Sequence, residues 1–252
     1  MELEEVNKLS KNLIDKLRSD KNYYGKFGKK FLSNSDISTL LNNPRMFKKY
    51  TKPSTEMLKG SYFHTAMLEP EKLDDFIICS SSSRTAKIYK DILAETGEDI
   101  VLLAKEVEEL NQMTSELKSN VMLSEIIYEQ GNIFEEPAVG KIGGQLWKGK
   151  ADIVRSDLVV DLKTTSRIDD FHRSARKYNY DSQAWIYEQL FERPVVFIAI
   201  EKGSCRMGMY DCSEQFLDSG REKVMRALEV YNTFFGESPT EDIDQFFINK
   251  TL

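Results

Sequence analysis

The sequence predicts a mixed α/β domain with helical additions. Three observations lead there. Apolar residues recur at helical spacing through most of the first 130 residues, the period drops to two from residue 131, and a helix, two more strands and a last helix follow. That order describes a mixed central sheet flanked by helices. A chain of 252 residues can bury a full core as one domain, read as an N-terminal helical segment over residues 1–56, a core over 57–240 and a tail over 241–252.

In chain order, Leu3, Val6, Leu9, Leu13 and Leu17 share one face of an amphipathic helix over 1–20, and YYGKFGKKF after it reads as a loop. Ser33-Asn34-Ser35 caps a short helix carrying Ile37, Leu40 and Leu41 that stops before Pro44. Phe47 and Tyr50 are expected to extend a second short helix against the core, ended by Pro53. Met57, Gly60, Phe63 and Leu68 mark a buried helix that approaches a neighbour closely at Gly60 and Ser61 and closes at Pro70. A short strand at 74–79, a serine loop, helices near 84–96 and 104–119, and a third helix in VMLSEIIYEQ come next. The acid-rich interval 104–129 reads as a solvated face.

IFEEPAV, QLWKGKADIV and LVVDLKT then alternate as consecutive antiparallel strands. Asp169 to Leu190 reads as one long helix, PVVFIAIEK and CRMGMYDC as strands, and 214–235 as the terminal helix.

Composition narrows the class. Hydrophobic residues at 40% and charged residues at 30% describe an ordinary globular chain rather than a disordered one. No apolar run approaches the ~18 residues of a membrane span. The start MELEEVNKLS is acidic where an export signal needs a basic start and an apolar core, so a cytoplasmic protein is expected. Cys79, Cys205 and Cys212 are odd in number, lack CxxC spacing, and read as buried thiols.

The formal net charge of -6 hides an asymmetry: residues 21–60 hold nine Lys or Arg against Asp36 and Glu56, and residues 141–180 hold nine against five acids. Charge separated in this way suits a groove for a polyanion on an otherwise repelling surface. Chance clustering is the plain alternative.

The hairpin KGKADIVRSDLVVDLKTT carries the chemistry. If Val154 pairs with Val159, the same register sets Asp152 opposite Asp161, and the period of two puts Asp161 and Lys163 on one face. Facing carboxylates repel and are costly to desolvate, and a divalent cation between them removes the problem. Oxygen ligands favour Mg²⁺ or Mn²⁺ over Zn²⁺. Lys163 beside Asp161 would orient water or stabilise charge on a phosphoryl oxygen, which together makes a phosphodiester hydrolysis site. The competing reading is surface ion pairing, but the apolar lead-in LVV argues against exposure. Glu135 or Glu136 would complete the metal shell; adjacent residues point oppositely, and Glu136 is the slight preference.

These motifs, taken together, resemble the PD-(D/E)xK nuclease superfamily in its RecB/RecE-like branch, specifically the phage or prophage exodeoxyribonuclease VIII (RecE-like) family. The branch has a GxxxHxxxLEP-like helix, matched by GSYFHTAMLEP with Gly60, His64, Leu68, Glu69 and Pro70. Its GxxD and DxK strands fall on Gly149, Asp152, Asp161 and Lys163, its QxxxY helix on Gln183 and Tyr187, and its serine-proline-aromatic start on Ser35, Leu40, Pro44 and Phe47.

The resemblance implies a restriction-endonuclease-like core. It implies His64, Asp152 and Asp161 as metal ligands, and Asp152, Asp161, Lys163, Gln183 and Tyr187 as catalytic residues. It also implies Mg²⁺-dependent 5′→3′ degradation of linear double-stranded DNA to 3′ single-stranded overhangs, a homo-oligomeric ring such as a tetramer, and collaboration with a single-strand annealing protein in a bacterial host.

Thr164, Thr165, Arg167, Arg173, Arg176 and Lys177 follow the active strand and are expected to hold DNA phosphates without reading bases. Lys26, Lys29, Lys30, Arg45, Lys48, Lys49 and Lys52 form a second basic cluster, with Phe27 and Phe31 as candidate wedges at a duplex end. A structure-selective endonuclease and a catalytically idle DNA-binding or assembly module are the alternatives.

Overall fold

The computed structural model describes residues 11–247. They open with a helix over 11–17 (α1) and a single turn at Asp20–Tyr23 (α2). Leu17 is fully buried; Leu3, Val6 and Leu9 of the expected repeat lie outside the described residues. Ser33 caps α3 (Asn34–Asn42) through a reciprocal box, its N–H and its hydroxyl both donating to Asp36 Oδ2 at 2.9 Å.

The second short helix expected through Phe47 and Tyr50 does not form. Pro44–Met46 is one 3₁₀ turn, Lys48 leaves it in a left-handed backbone (φ 55°), and Tyr50 is exposed. Phe47 alone packs inward, against Tyr231 and Phe235.

α4 (Thr55–Leu68) is capped by Ser54 and buries Tyr62, Phe63, Ala66 and Met67. Its close approach at Gly60 is absent, since a Cβ there would meet nothing within 4 Å. β1 (Ile78–Cys79) pairs in parallel with β2 (Leu102–Leu103), and α5 (Lys87–Thr96) lies between them in sequence. α6 (Ala104–Ser119) and α7 (Val121–Tyr128) follow. The acid-rich interval is only partly solvated: Leu110, Met113 and Leu117 are buried with α4, and Glu106 is buried with Arg84 at 2.6 Å and Lys59 at 3.3 Å.

The central sheet runs β3 (Ile133–Ile142), β4 (Gln145–Val154), β5 (Val159–Thr165), β6 (Val195–Glu201), β7 (Met207–Asp211) in space as in sequence. Only β5 and β6 are parallel; the remaining neighbours are antiparallel. The crossover between β5 and β6 holds two helices, α8 (Phe171–Lys177) and α9 (Tyr180–Phe191), not the single long one expected. Asn179 at φ 60° breaks the run. α10 (Glu214–Phe235) closes the core as predicted.

One face of the sheet packs on α3, α9 and α10, the other on α4 and α6. That double cover is why β6 reads as an unbroken apolar run. Cys79 is buried and the other two cysteines half-buried; all three are free thiols.

α10 crosses the start of α9 at Gly220, where an added Cβ would stand 2.1 Å from the Asp181 carbonyl oxygen. Gly220→Ala is therefore expected to destabilise the protein by about 1–3 kcal/mol, and Gly60→Ala, facing open space, to stabilise slightly. Urea unfolding of both variants checks this; equal midpoints would refute the packing argument.

Candidate active site

The β4–β5 register is the one the sequence suggests, with Ile153 paired to Val160 and Val154 to Val159. Continuing it sets Asp152 opposite Asp161. On the other side, the β3–β4 register of Phe134 with Ile153 and Glu136 with Ala151 sets Glu135 opposite Asp152. Glu135, Asp152 and Asp161 thus form a row across three strands.

Backbone pairing skips both of those rungs. At the first, Glu135 takes a left-handed backbone, φ 49°. At the second, the Leu162 N–H donates to Asp152 Oδ2 at 2.6 Å. Ala151 packs with the α9-side core and Ile153 with the α4-side core, although two residues apart on a regular strand share a face. The sheet is therefore dislocated at the acids.

Helices on both faces fix the row. His64 on α4 places Nδ1 3.1 Å from Asp152 Oδ1. Gln183 on α9 donates from Nε2 to Asp161 Oδ1 at 2.6 Å, and Tyr187, one turn on, donates its hydroxyl to the Lys150 carbonyl at 2.6 Å. Gly149 lets the Tyr187 ring reach β4, because a Cβ there would stand 2.8 Å from it.

Lys163 lies against Asp161 Oδ2, with its Nζ 4.7 Å from the Tyr180 ring centroid and 5.8 Å from that of Phe197. The Lys163 ammonium pairs with Asp161 Oδ2 in a residue 1% exposed.

Burial and mutual repulsion perturb every group. Burial, then the Asp152 charge, pushes Asp161 up to about 6 against the pull of Lys163. Burial, then Asp152, pushes Glu135 up to about 7. Burial works against ionised Asp152, yet His64, Lys163 and the Leu162 N–H hold its carboxyl below the usual range. Burial would lower His64 and Lys163, but the neighbouring carboxylates raise both.

His64, Glu135 and Asp152 each bring one ligand atom within 4.8 Å of the others. The preferred Glu136 is not there. It is engaged by Arg18, because the left-handed turn at Glu135 swings that residue, not its neighbour, to the acid row. No residue type in the sequence announces that turn.

Asp161 stays outside the tight triplet, its two oxygens committed to Gln183 and Lys163. Lys150, also unforeseen, sits 3.7 Å from Glu135 and pairs with Asp20.

The DNA-facing expectations divide. Thr165 is buried with its hydroxyl donating to the Arg167 carbonyl, and so is not free for phosphate; Thr164 is half-buried. Arg173, Arg176 and Lys177 are exposed on α8, while Arg167 and Arg173 flank Asp170 at 3.2 and 3.8 Å. Phe31 is buried and half-buried Phe27 packs on it, so neither is a free wedge. In the early basic cluster, Lys48 is tied to Asp36 and the Phe31 carbonyl, and Arg45 to the Ile243 and Asp244 carbonyls, leaving Lys26, Lys29, Lys30, Lys49 and, 3.7 Å from Asp99, Lys52 outward.

The donor set fits a hard dication. Carboxylates dominate, one imidazole joins them and no thiol is present. Protonation is the alternative way to relieve the row, which sets the pH dependence of stability. Asp161, Glu135 and His64 all have folded pKa values above their ordinary ones, so the folded state binds more protons and loses stability as pH rises through about 6 to 7. With chelator, the melting temperature is expected to fall between about pH 5 and about pH 7.5, and Mg²⁺ to restore it most at the higher pH. A flat profile that ignores the cation would contradict this account.

Comparison with known proteins bears on the same core. A family model described as a PDDEXK-like domain of unknown function (DUF3799) matches residues 29–239. No curated protein sequence matches. Among solved structures, a candidate exonuclease from Eubacterium rectale superposes with a TM-score of 0.63 at 16% identity, covering 93% of this chain and 95% of that one. A phage-related exonuclease from Haemophilus somnus aligns with a TM-score of 0.34 at 16% identity, over 62% of this chain and 89% of that one. The first supports the fold. With a mixed sheet broken at an acid row and a family match across most of its length, this chain belongs to the PDDEXK-like DUF3799 family and has a nuclease-like fold.

Proposed function

We propose that the protein is a divalent-cation-dependent exodeoxyribonuclease acting on linear double-stranded DNA. The observation that carries this reading is the row Glu135–Asp152–Asp161 ending on Lys163 at a break in the sheet. Glu135, Asp152, Asp161 and His64 would hold Mg²⁺, with Mn²⁺ as a substitute. Such an ion supplies positive charge to the phosphoryl oxygens and lowers the pKa of a coordinated water.

The chain's own groups do the rest. His64 orients Asp152 through its Nδ1 contact, and Gln183 fixes one oxygen of Asp161 so that the other stays turned towards Lys163. The carboxylates keep Lys163 protonated, so it serves as a hydrogen-bond donor that orients the attacking water and meets charge growing on the phosphate, not as a base. Arg173, Arg176 and Lys177 on α8 offer non-specific phosphate contacts, which weaken as salt rises.

The 5′→3′ direction, the 3′ overhang, a closed ring such as a tetramer, an annealing partner and a cytoplasmic setting in a bacterial host complete the reading. The direction, overhang, ring, annealing partner and host rest on the resemblance to the RecE-like family. A ring suits processive digestion, because the substrate cannot diffuse away between cuts. Among the described residues no helix is long and apolar enough to cross a membrane.

Asp161→Ala and Lys163→Ala are each expected to lower hydrolysis of end-labelled linear duplex at least about a hundredfold, while closed circular DNA stays intact with wild type. Undiminished digestion by Asp161→Ala would sink the assignment. Glu135→Gln should weaken Mg²⁺ binding about tenfold or more in calorimetric titration, whereas Glu136→Gln should leave it unchanged; the reverse result would return the ligand role to Glu136.

A further inference from the structure

The residues ahead of the family match, which begins at 29, are fastened to β3 and β4, the strands that carry Glu135 and Asp152. Arg18 grips Glu136, Asp20 grips Lys150, and buried Lys148 donates to the Tyr23 carbonyl with its Nζ 3.8 Å from the Tyr23 ring centroid. Gly28 permits that packing, since a Cβ there would stand 1.8 Å from the Tyr23 carbonyl oxygen and 2.7 Å from Lys148 Nζ.

This platform presents Tyr24. Its ring sits edge-on to Tyr23 at 5.0 Å, 5.5 Å from Lys150 Nζ, and its hydroxyl makes no hydrogen bond among the described residues. The residue is 67% exposed, and the Lys150 Nζ beside its ring lies 3.7 Å from Glu135. A side chain open to solvent next to a lysine that contacts the acid row stands at the edge of the site.

An exposed aromatic ring in such a place has one direct use. Tyr23 and Lys150 flank it on the protein side, and its outer surface is left for a planar partner. The scissile phosphate belongs with the cation that the acids would hold and with Lys163, which leaves the planar portion of a nucleotide, its base, for the ring. We infer that Tyr24 is a substrate-contacting residue that stacks on the base next to the scissile phosphate of a frayed or unpaired strand end. The inference rests on the nuclease reading above and adds a specificity element from a segment outside the family match.

The test uses the full chain, steady-state digestion of linear duplex with Mg²⁺, and binding of a duplex carrying 2-aminopurine at its terminal nucleotide with Ca²⁺. Tyr24→Ala is expected to raise KM about tenfold with little change in kcat and to lose the fluorescence quenching that wild type shows. Tyr24→Phe and Tyr24→Trp, which keep a ring, should recover most of both.

Wild-type KM and quenching in Tyr24→Ala would overturn the inference alone. So would a Tyr24→Phe variant as impaired as Tyr24→Ala, since the hydroxyl would then be the contact. Wild type inert on every DNA substrate would overturn the nuclease reading and this inference with it.

Discussion

Three carboxylates drawn together inside a protein are the constraint on which the rest of the structure depends. Glu135, Asp152 and Asp161 occupy consecutive strands on one row, and the ladder fails at both rungs between them. Desolvation and like-charge repulsion would expel such a group from an ordinary core. Here His64, Lys163 and Lys150 surround it with positive charge, and backbone and amide donors hold its oxygens. An arrangement this costly to stability persists where binding a cation recovers the loss.

That constraint explains the layering. A sheet covered on one side only could approach the acids from one direction; α4 delivers His64 to Asp152, and α9 delivers Gln183 to Asp161 and Tyr187 to β4. The two cores meet at the strand where the side-chain alternation slips, so each face supplies polar side chains to the same dislocation. The left-handed backbone of Glu135 belongs to the same device: strain in one residue turns one carboxylate inward and leaves its neighbour to Arg18.

The outer surface is organised around the row as well. Buried Lys148 and nearly covered Lys150 anchor the segment before residue 29 instead of reaching for a ligand, so much of the positive charge counted along the sequence is internal. Of the two basic windows, α8 keeps Arg173, Arg176 and Lys177 exposed, and the earlier one keeps Lys26, Lys29, Lys30, Lys49 and Lys52 exposed. Net charge over a window therefore overstates the free binding surface, because neighbours in sequence such as Arg167 and Asp170 neutralise one another.

Period and punctuation determined much of this protein from the sequence alone. The strand order, the β4–β5 register through Val154 and Val159, the caps of α3 and the span of α10 follow from alternation, capping residues and turn residues, all local properties. The pairing of Asp161 with Lys163 follows from the same parity. Tertiary structure alone decided which glutamate joins the row, that α8 and α9 part at Asn179, that Gly60 faces open space, and that Lys148 and Lys150 clamp the chain's first turns. Those outcomes depend on backbone angles and on partners more than a hundred residues away, which side-chain period does not encode.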